Sequence, residues 1–379
     1  MEYKRVIDHA TSVKKIQIIE EPTATRPGLA DFTFNPVFSV FDFGTIKPPV
    51  ELDNRTICLM AGFNFELLKD DEALPTHYRG LVDKDGNLIS AHEAIRKGIA
   101  PDTIRVIFVN REMPVFKDGK WDYSKFRNPP NNYVQPIEFI SRNELPPEAS
   151  VWKGKEEDVA KALRAFGLPP GFEKGDPIPE ELKPLLSYST KFEKGEGDRT
   201  LTAEEAQALM GIDNGRFATI NGITRAASQG MTSYAASRGF TRLDGKVEYV
   251  VLPTELGPHD VLGDAVCTWH EDRLTYGGIG ISKQRIRDRI KKLNPEWYAE
   301  IERAKALAKE KGLKSFRDEM NLDIKYNSPS PEFFHAINAL FRAATNQWVD
   351  ARVFDVHPGR DDSLEDSLDR AVEEFQRVK

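Results

Sequence analysis

Apolar positions along the chain follow two periods. In the first third they form short β-branched runs. Lys15-Ile16-Gln17-Ile18-Ile19 and Ile104-Arg105-Val106-Ile107-Phe108-Val109 predict strands. Asp-Gly pairs at 85–86, 118–119 and 244–245 lie between strand-like segments. Each predicts a hairpin, because Asp-Gly supplies the positive φ of a tight turn. From Arg55 to Lys69 the period changes: Ile57, Met60, Phe63, Leu67 and Leu68 recur at helical spacing and predict a helix packed on the sheet.

Residues 144–185 are rich in Pro, Glu and Lys, with one predicted helix from Glu156 to Phe166 closed by Gly167. Thr202 followed by Glu205 is a capping-box pattern opening a short helix to Met210. The stretch 211–240 carries five glycines among Ser, Ala and Arg and predicts a flexible connection or lid. Asn294-Pro295 starts a helix that Gly312 ends, and Ser330-Pro331 starts another through Phe334, Ile337, Leu340 and Phe341. A last helix, Leu364 to Val378, carries Leu364, Leu368, Val372 and Phe375 as an apolar stripe, suited to a neighbouring subunit in a homo-oligomer or to its own chain.

The length of 379 residues fits two lobes, with three as the other option, and 40% hydrophobic against 30% charged residues supports a packed core. A formal net charge of −7 argues against wholesale binding of nucleic acid or an anionic membrane. No run reaches the roughly 20 apolar residues of a membrane span, and no signal peptide is visible. Cys58 and Cys267 are the only cysteines, which supports neither a disulfide framework nor a cysteine-built zinc site. These features predict a soluble, cytoplasmic protein of mixed helix and strand.

Several signatures of known chemistry are missing: GxxxxGK[ST], HExxH, CxxC and GxSxG. Asp42-Phe43-Gly44 lacks the catalytic loop that accompanies it in protein kinases, and Gly277-Gly278-Ile279-Gly280 reads as a turn rather than a dinucleotide loop. Residues 244–273 hold more. Lys246 and Glu248 alternate with apolar residues and so share one strand face, a second strand-like piece ends at Asp264, and Arg273 follows. Such a set could hold Mg²⁺ with a phosphorylated ligand, since Mg²⁺ takes one or two carboxylates plus phosphate oxygens and arginine grips phosphate with two prongs. Spacing alone leaves a solvated sheet face as the other reading. The basic run Lys283 to Lys292 reads as a solvated helix, and of the seven histidines only His270 lies inside the cluster.

Taken in order, these pieces resemble the phosphoribosylaminoimidazole-succinocarboxamide synthase (SAICAR synthetase) family in its longer form, over about residues 11–357. The segments carrying the likeness are Ser39-Val40-Phe41-Asp42, Pro136 to Asn143, Ser189-Thr190-Lys191-Phe192-Glu193, Asp244-Gly245-Lys246-Val247-Glu248, Asp264, Glu271 to Tyr276, Ser282-Lys283-Gln284 and Pro295 to Tyr298. The resemblance implies an α+β fold: a β-rich nucleotide-binding lobe over residues 1–136, a substrate and Mg–ATP lobe with C-terminal helices over 137–357, and a helical tail over 358–379. It implies an ATP- and Mg²⁺-dependent ligase that joins aspartate to a carboxylated aminoimidazole ribotide through an acyl phosphate. By the same resemblance Lys14, Lys191, Glu248 and Asp264 bind ATP, the last two also holding the metal. Lys191, Asp244 and Lys246 serve catalysis, and Asp42, Arg142, Ser150 and Arg273 line the substrate site.

The chain also departs from the family's pattern. Pro36-Val37 stand where Asp-Arg is usual, Leu52-Asp53-Asn54 replaces a Gly-Lys-Gly turn, Ala149-Ser150 replaces Gly-Ser, and His270 replaces an Asp. These changes fit the same reaction in a divergent member. They equally fit a related ligase using another amine or another carboxylated heterocycle, as in nucleoside-antibiotic pathways. A nucleotide-binding protein without the chemistry is the third reading, against which the joint presence of Lys191, Lys246, Glu248 and Asp264 argues.

Overall fold

The computed structural model describes residues 3–7, 13–41, 43–152, 156–193, 198–255, 257–313, 315–321 and 323–378. Two antiparallel sheets organise it. The first has six strands in the order Arg5–Ile7, Lys14–Glu20, Gly28–Phe34, Thr103–Phe108, Tyr78–Val82 and Leu88–Ile89. The helix Arg55–Asp71 packs on it as its spacing predicts, with every residue from Thr56 to Phe65 buried. Burial all round follows because the helices Asn214–Ser237 and Pro331–Val349 cover its other sides.

The second sheet is built around one 15-residue strand, Phe240–Thr254. Its first half pairs with Ile137–Arg142 on one side and Asp272–Tyr276 on the other; its second half pairs with Tyr133–Val134 and Gly257–Gly263. Leu185–Thr190 and Thr200–Leu201 extend the sheet at one end, Ile279–Ile281 at the other. The sheets meet at Leu262, whose carbonyl accepts from the His77 amide at 2.9 Å and whose amide donates to the Pro75 carbonyl at 2.9 Å. Here the end of Gly257–Gly263 is fixed against the first sheet, and the residue that follows is Asp264.

The sequence-predicted boundaries at Thr202, Asn294-Pro295, Ser330 and Gly167 hold. Thr202 and Glu205 form both bonds of the capping box, and Ser330 accepts from the Phe333 amide. Helix Glu156–Ala165 ends before Gly167, whose φ is +74°, and Pro295–Glu310 is closed near Gly312 at +61°. The last helix, Leu364–Arg377, folds back on its own chain: Leu368, Ala371 and Phe375 are buried, and the Phe375 ring lies 5.8 Å from that of Phe333. No helix among the described residues is long and apolar enough to cross a membrane.

Three expectations are corrected. Residues 211–240 are no lid but the 24-residue helix Asn214–Ser237, capped by Asp213, with Phe217, Ile220, Thr224, Ala227, Met231 and Ala235 on its buried face. Small residues read as loop composition, yet they let this helix lie close against the long strand. Asp244-Gly245 is no hairpin, because the strand Phe240–Thr254 runs straight through it. A Cβ on Gly245 would stand 2.2 Å from Asp272 Oδ2 and 2.1 Å from Arg242 Nη2, so the glycine supplies space over a buried ion pair, not a positive φ. The basic run forms the helix Gln284–Leu293, but it is not solvated all round. Ile286 and Ile290 are buried, and Lys283 and Arg287 face a cavity.

Candidate active site

Strand alternation puts Lys246 and Glu248 on one face of the long strand, and Lys246 Nζ donates to Glu248 Oε1 at 2.8 Å. The same ammonium donates to Glu138 Oε1 at 2.8 Å on the adjoining strand and lies 3.2 Å from Glu271 Oε2. Ser189 Oγ, one strand further out, donates to Glu138 Oε2 at 3.1 Å. Lys191 pairs with the other oxygen of Glu248. Glu248 stands opposite Gly263 in register, so Asp264, one residue beyond, comes to the same end of the sheet. Lys14 reaches it from the first sheet and pairs with Asp264 Oδ1.

Burial opposes ionisation of Glu248, and the ammonium groups of Lys191 and Lys246 overcome it, holding the carboxyl well below the usual range. Burial likewise works against the Lys246 ammonium, but Glu138, Glu248 and Glu271 hold its pKa well above that of a free lysine. At Glu138 burial wins and the pKa is raised. The lysines and Glu248 are therefore charged at neutral pH, an arrangement that mutual pairing alone makes tolerable in a buried setting.

Beside this group lies a second, built by cross-strand pairing. Arg142 and Arg273 both stand opposite Asp244, one on each neighbouring strand. Arg142 Nη1 donates to Asp244 Oδ2 at 2.9 Å, Arg273 Nη1 donates to the same oxygen, and Arg142 Nε donates to Ser187 Oγ at 3.0 Å. Arg142, Asp244 and Arg273, with Lys246 and Glu271, line a cavity of about 200 Å³ whose wall also holds His270, Lys283 and Arg287. His270 is buried and its Nε2 has no hydrogen-bond partner. Burial, reinforced by Lys283, lowers its pKa to about 3, so the ring is neutral. Burial also lowers Lys283 to about 8, with Glu271 3.9 Å away opposing the shift.

The structure thus brings Lys14, Lys191, Lys246, Glu248 and Asp264 into one cluster, with Arg142, Asp244 and Arg273 next to it. Asp42 lies outside the described residues. Ser150 begins a short 3-10 turn, Ser150–Trp152, and its side chain is also outside them. Glu138, Ser189, Glu271 and Lys283 lie in segments that carry the resemblance, but none was assigned a role from sequence. Glu138 left one signal, a carboxylate inside the apolar run Pro136 to Ile140, but its partner is 108 residues away. Two of the departures lie elsewhere: Asp53 is bound by Arg55 through two bonds of 2.6 Å and by Arg342 Nε at 2.7 Å, and the Val37 carbonyl accepts from Asn54. His270 alone of these three lines the cavity.

As donors, Glu248 and Asp264 suit Mg²⁺, which needs few carboxylates when phosphate oxygens complete its shell. Among the described residues no group of three or more His, Cys, Asp or Glu could hold a metal.

A family model described as SAICAR synthetase matches residues 130–304. The chain is 29% identical over 345 residues, 91% of its length and 95% of the other's, to the "Putative phosphoribosylaminoimidazole-succinocarboxamide synthase" of Archaeoglobus fulgidus. It is 25% identical over 257 residues, 65% of its length and 72% of the other's, to the phosphoribosylaminoimidazole-succinocarboxamide synthase of Methylobacillus flagellatus. In three dimensions it is similar to the SAICAR synthase of Saccharomyces cerevisiae solved with SAICAR. The TM-score is 0.55 at 17% identity, over 92% of this chain and 95% of that one.

Proposed function

We propose that the chain is a member of the SAICAR synthetase family and an ATP-dependent ligase of purine biosynthesis, acting in the cytoplasm. It joins the amine of aspartate to the carboxylate of a carboxylated aminoimidazole ribotide. The observation that carries this reading is the adjacency of two charged groups on one strand. Lys246 and Glu248 belong to a lysine–carboxylate cluster, while Asp244, two residues earlier, holds two arginines over a cavity. A phosphoryl-transfer centre needs the first, and a phosphorylated small molecule needs the second.

A carboxylate is a poor electrophile. ATP supplies the phosphoryl group that converts one of its oxygens into a leaving group, and the amine then displaces inorganic phosphate as the amide forms. Within this chain Lys14 and Lys191 meet the nucleotide's phosphates, and Glu248 and Asp264 hold Mg²⁺. Lys246 offsets the negative charge that builds where the two sites meet, a stabilisation strengthened by its exclusion from water. Asp244 orients Arg142 and Arg273 toward the sugar phosphate, with Ser150 and Asp42 completing the substrate side. Glu138, by gripping Lys246, keeps that ammonium from collapsing onto Glu248 alone. In this reading residues 1–136 form the nucleotide lobe, 137–357 the substrate and Mg–ATP lobe, and 358–379 a packed tail.

The test is phosphate release from ATP with carboxyaminoimidazole ribotide, with and without aspartate. Release that depends on aspartate, with a succinocarboxamide product by mass, supports the proposal. The neutral His270 on the cavity wall favours one second reading, the same ligation with another amine. Tight nucleotide binding with no turnover on aspartate, and turnover on a different amine, would replace the first reading by that one.

A further inference from the structure

Amide formation requires a proton acceptor. An amine reaches the site as an ammonium ion, and only its neutral form has a lone pair with which to attack an acyl phosphate. The cavity beside the strand Phe240–Thr254 holds two lysines, Lys246 and Lys283, in opposite surroundings. Lys246 donates to Glu138 and Glu248 and stays charged. Among the described residues Lys283 pairs with Glu271 alone, at 3.9 Å, beyond hydrogen-bond reach. Three features of its position work against its charge. It is the N-cap residue of the helix Gln284–Leu293, where the helix dipole presents its positive end. Arg287, one turn along the same helix, lines the same cavity. The Lys283 side chain is also largely withdrawn from water, at 21% exposed.

The same residue is close to the reacting centre. Glu271 bridges the two lysines, with Oε2 3.2 Å from Lys246 Nζ and Oε1 3.9 Å from Lys283 Nζ, so one carboxylate spans the gap between them. The Lys283 amide donates to the Trp269 carbonyl at 2.8 Å, which fixes it beside His270 and Glu271. Resting on the ligase reading of this site, we propose that Lys283, as the neutral amine, is the general base that takes a proton from the incoming amine. The substrate ammonium passes one proton to the Lys283 nitrogen. Its freed lone pair forms the C–N bond to the acyl carbon as the bond from that carbon to the phosphate oxygen breaks. A second proton leaves the nitrogen with the phosphate, and Lys283 returns its own to water once the amide has gone. Burial lowers the Lys283 pKa to about 8; Glu271 opposes the shift, Arg287 and Lys246 add to it, and Glu138 opposes it again. The other groups facing it are poorer acceptors. Burial works against ionisation of Glu271, but Lys246 and Lys283 hold its carboxyl well below the usual range, and burial holds His270 at about 3.

Two nucleophiles separate this role from the anchoring of an anion. Hydroxylamine is already neutral at neutral pH and needs no base, whereas the amine of aspartate does. With ATP, Mg²⁺ and carboxyaminoimidazole ribotide, Lys283→Arg and Lys283→Met should each lower aspartate-dependent phosphate release by about 10²-fold or more, in kcat rather than in KM for aspartate. Both should release phosphate with hydroxylamine at close to the wild-type rate, and raising the pH should restore part of the aspartate reaction as free amine accumulates. Circular dichroism checks that the variants fold. Wild-type turnover on aspartate in either variant would overturn the inference, and in Lys283→Arg it would make the residue an anchor for an anion. Folded variants that lose both nucleophiles alike would overturn it too, by placing Lys283 in the phosphoryl step. A wild-type chain that releases no phosphate with either nucleophile would overturn the ligase reading, and the inference with it.

Discussion

Between pH 6.5 and 3 the unfolded chain takes up a proton at His270 that the folded chain refuses, because burial holds the folded pKa near 3. The unfolded state binds more protons in that window, so stability rises with pH across it and is lost as pH falls below 6.5. His77, lowered to about 4 chiefly by burial behind Asp264, acts with the same sign. The depressed Glu248 adds its loss only below the ordinary glutamate pKa of 4.5, whereas the raised Glu138 and Asp272 act against the histidines at higher pH. At about 1.4 kcal/mol per unit, each buried histidine should cost about 2 kcal/mol over the interval from pH 7 to 5. His270→Gln should therefore lose about 2 kcal/mol less stability than the wild type between pH 7 and 5. Urea denaturation of both proteins at the two pH values measures this, and parallel losses would show that His270 takes up its proton in the folded state. Nothing in the sequence marks His270 as buried and neutral. Its neighbours Glu271, Asp272 and Arg273 are all charged, and its burial comes from distant residues, Phe341 against its ring and Lys283 and Arg287 nearby.

Helix Asn214–Ser237 shows how composition misleads at the scale of an element. Gly222 lies on its exposed side, where a Cβ would have no atom within 4 Å, and it has no positive φ, so it contributes only flexibility. Gly222→Ala should stabilise the protein by about 0.5–1 kcal/mol, through helix propensity and a less flexible unfolded chain. A thermal melt without an upward shift would contradict that. Gly230 differs, since a Cβ there would come 2.8 Å from Glu72 Oε1 on the turn after Arg55–Asp71. Elements with local signals were legible: the capping box at Thr202, Ser330-Pro331, Asn294-Pro295 and the alternation at Lys246-Val247-Glu248 all name their own structure. What depended on distant partners was not. Gly245 carries the same Asp-Gly signature as Gly86 and Gly119, which do close turns with φ of +84° and +73°. Only the Arg242–Asp272 pair above it, 2.5 Å between charged atoms, reveals that this glycine is there for space. The cluster divides the same way: the shared face of Lys246 and Glu248 was readable from alternation, whereas the contacts that Glu138 and Glu271 make with Lys246 became visible once the strands met.

At the scale of the whole molecule the site depends on a joint held by an uncharged side chain. Asn64, fully buried in the helix Arg55–Asp71, donates from its amide to the carbonyls of Val266 and Cys267, each at 2.9 Å. Its own carbonyl accepts from Trp348 Nε1 at 2.8 Å on the helix Pro331–Val349. One side chain thereby ties the first sheet's helix, a C-terminal helix and the segment that begins at Asp264. That segment is otherwise awkward to hold, because Asp264 and Cys267 both adopt positive φ, +60° and +51°, which side-chain-bearing residues rarely do. Backbone in that region persists only when its surroundings fix it. Asn64→Ala leaves two buried carbonyls and an indole N–H without partners, at about 1–3 kcal/mol for each group left unsatisfied. A loss of about 3–5 kcal/mol is expected in denaturant titration, since some of these groups will find water in the space vacated. A structural role confined to packing would stop there. If Asn64 also sets the segment bearing Asp264, the folded variant should bind ADP with Mn²⁺ more weakly than the wild type while Arg142, Asp244 and Arg273 keep their grip on a phosphorylated substrate. Equal weakening at both sites, or at neither, would show that the joint stabilises the fold without placing the carboxylate.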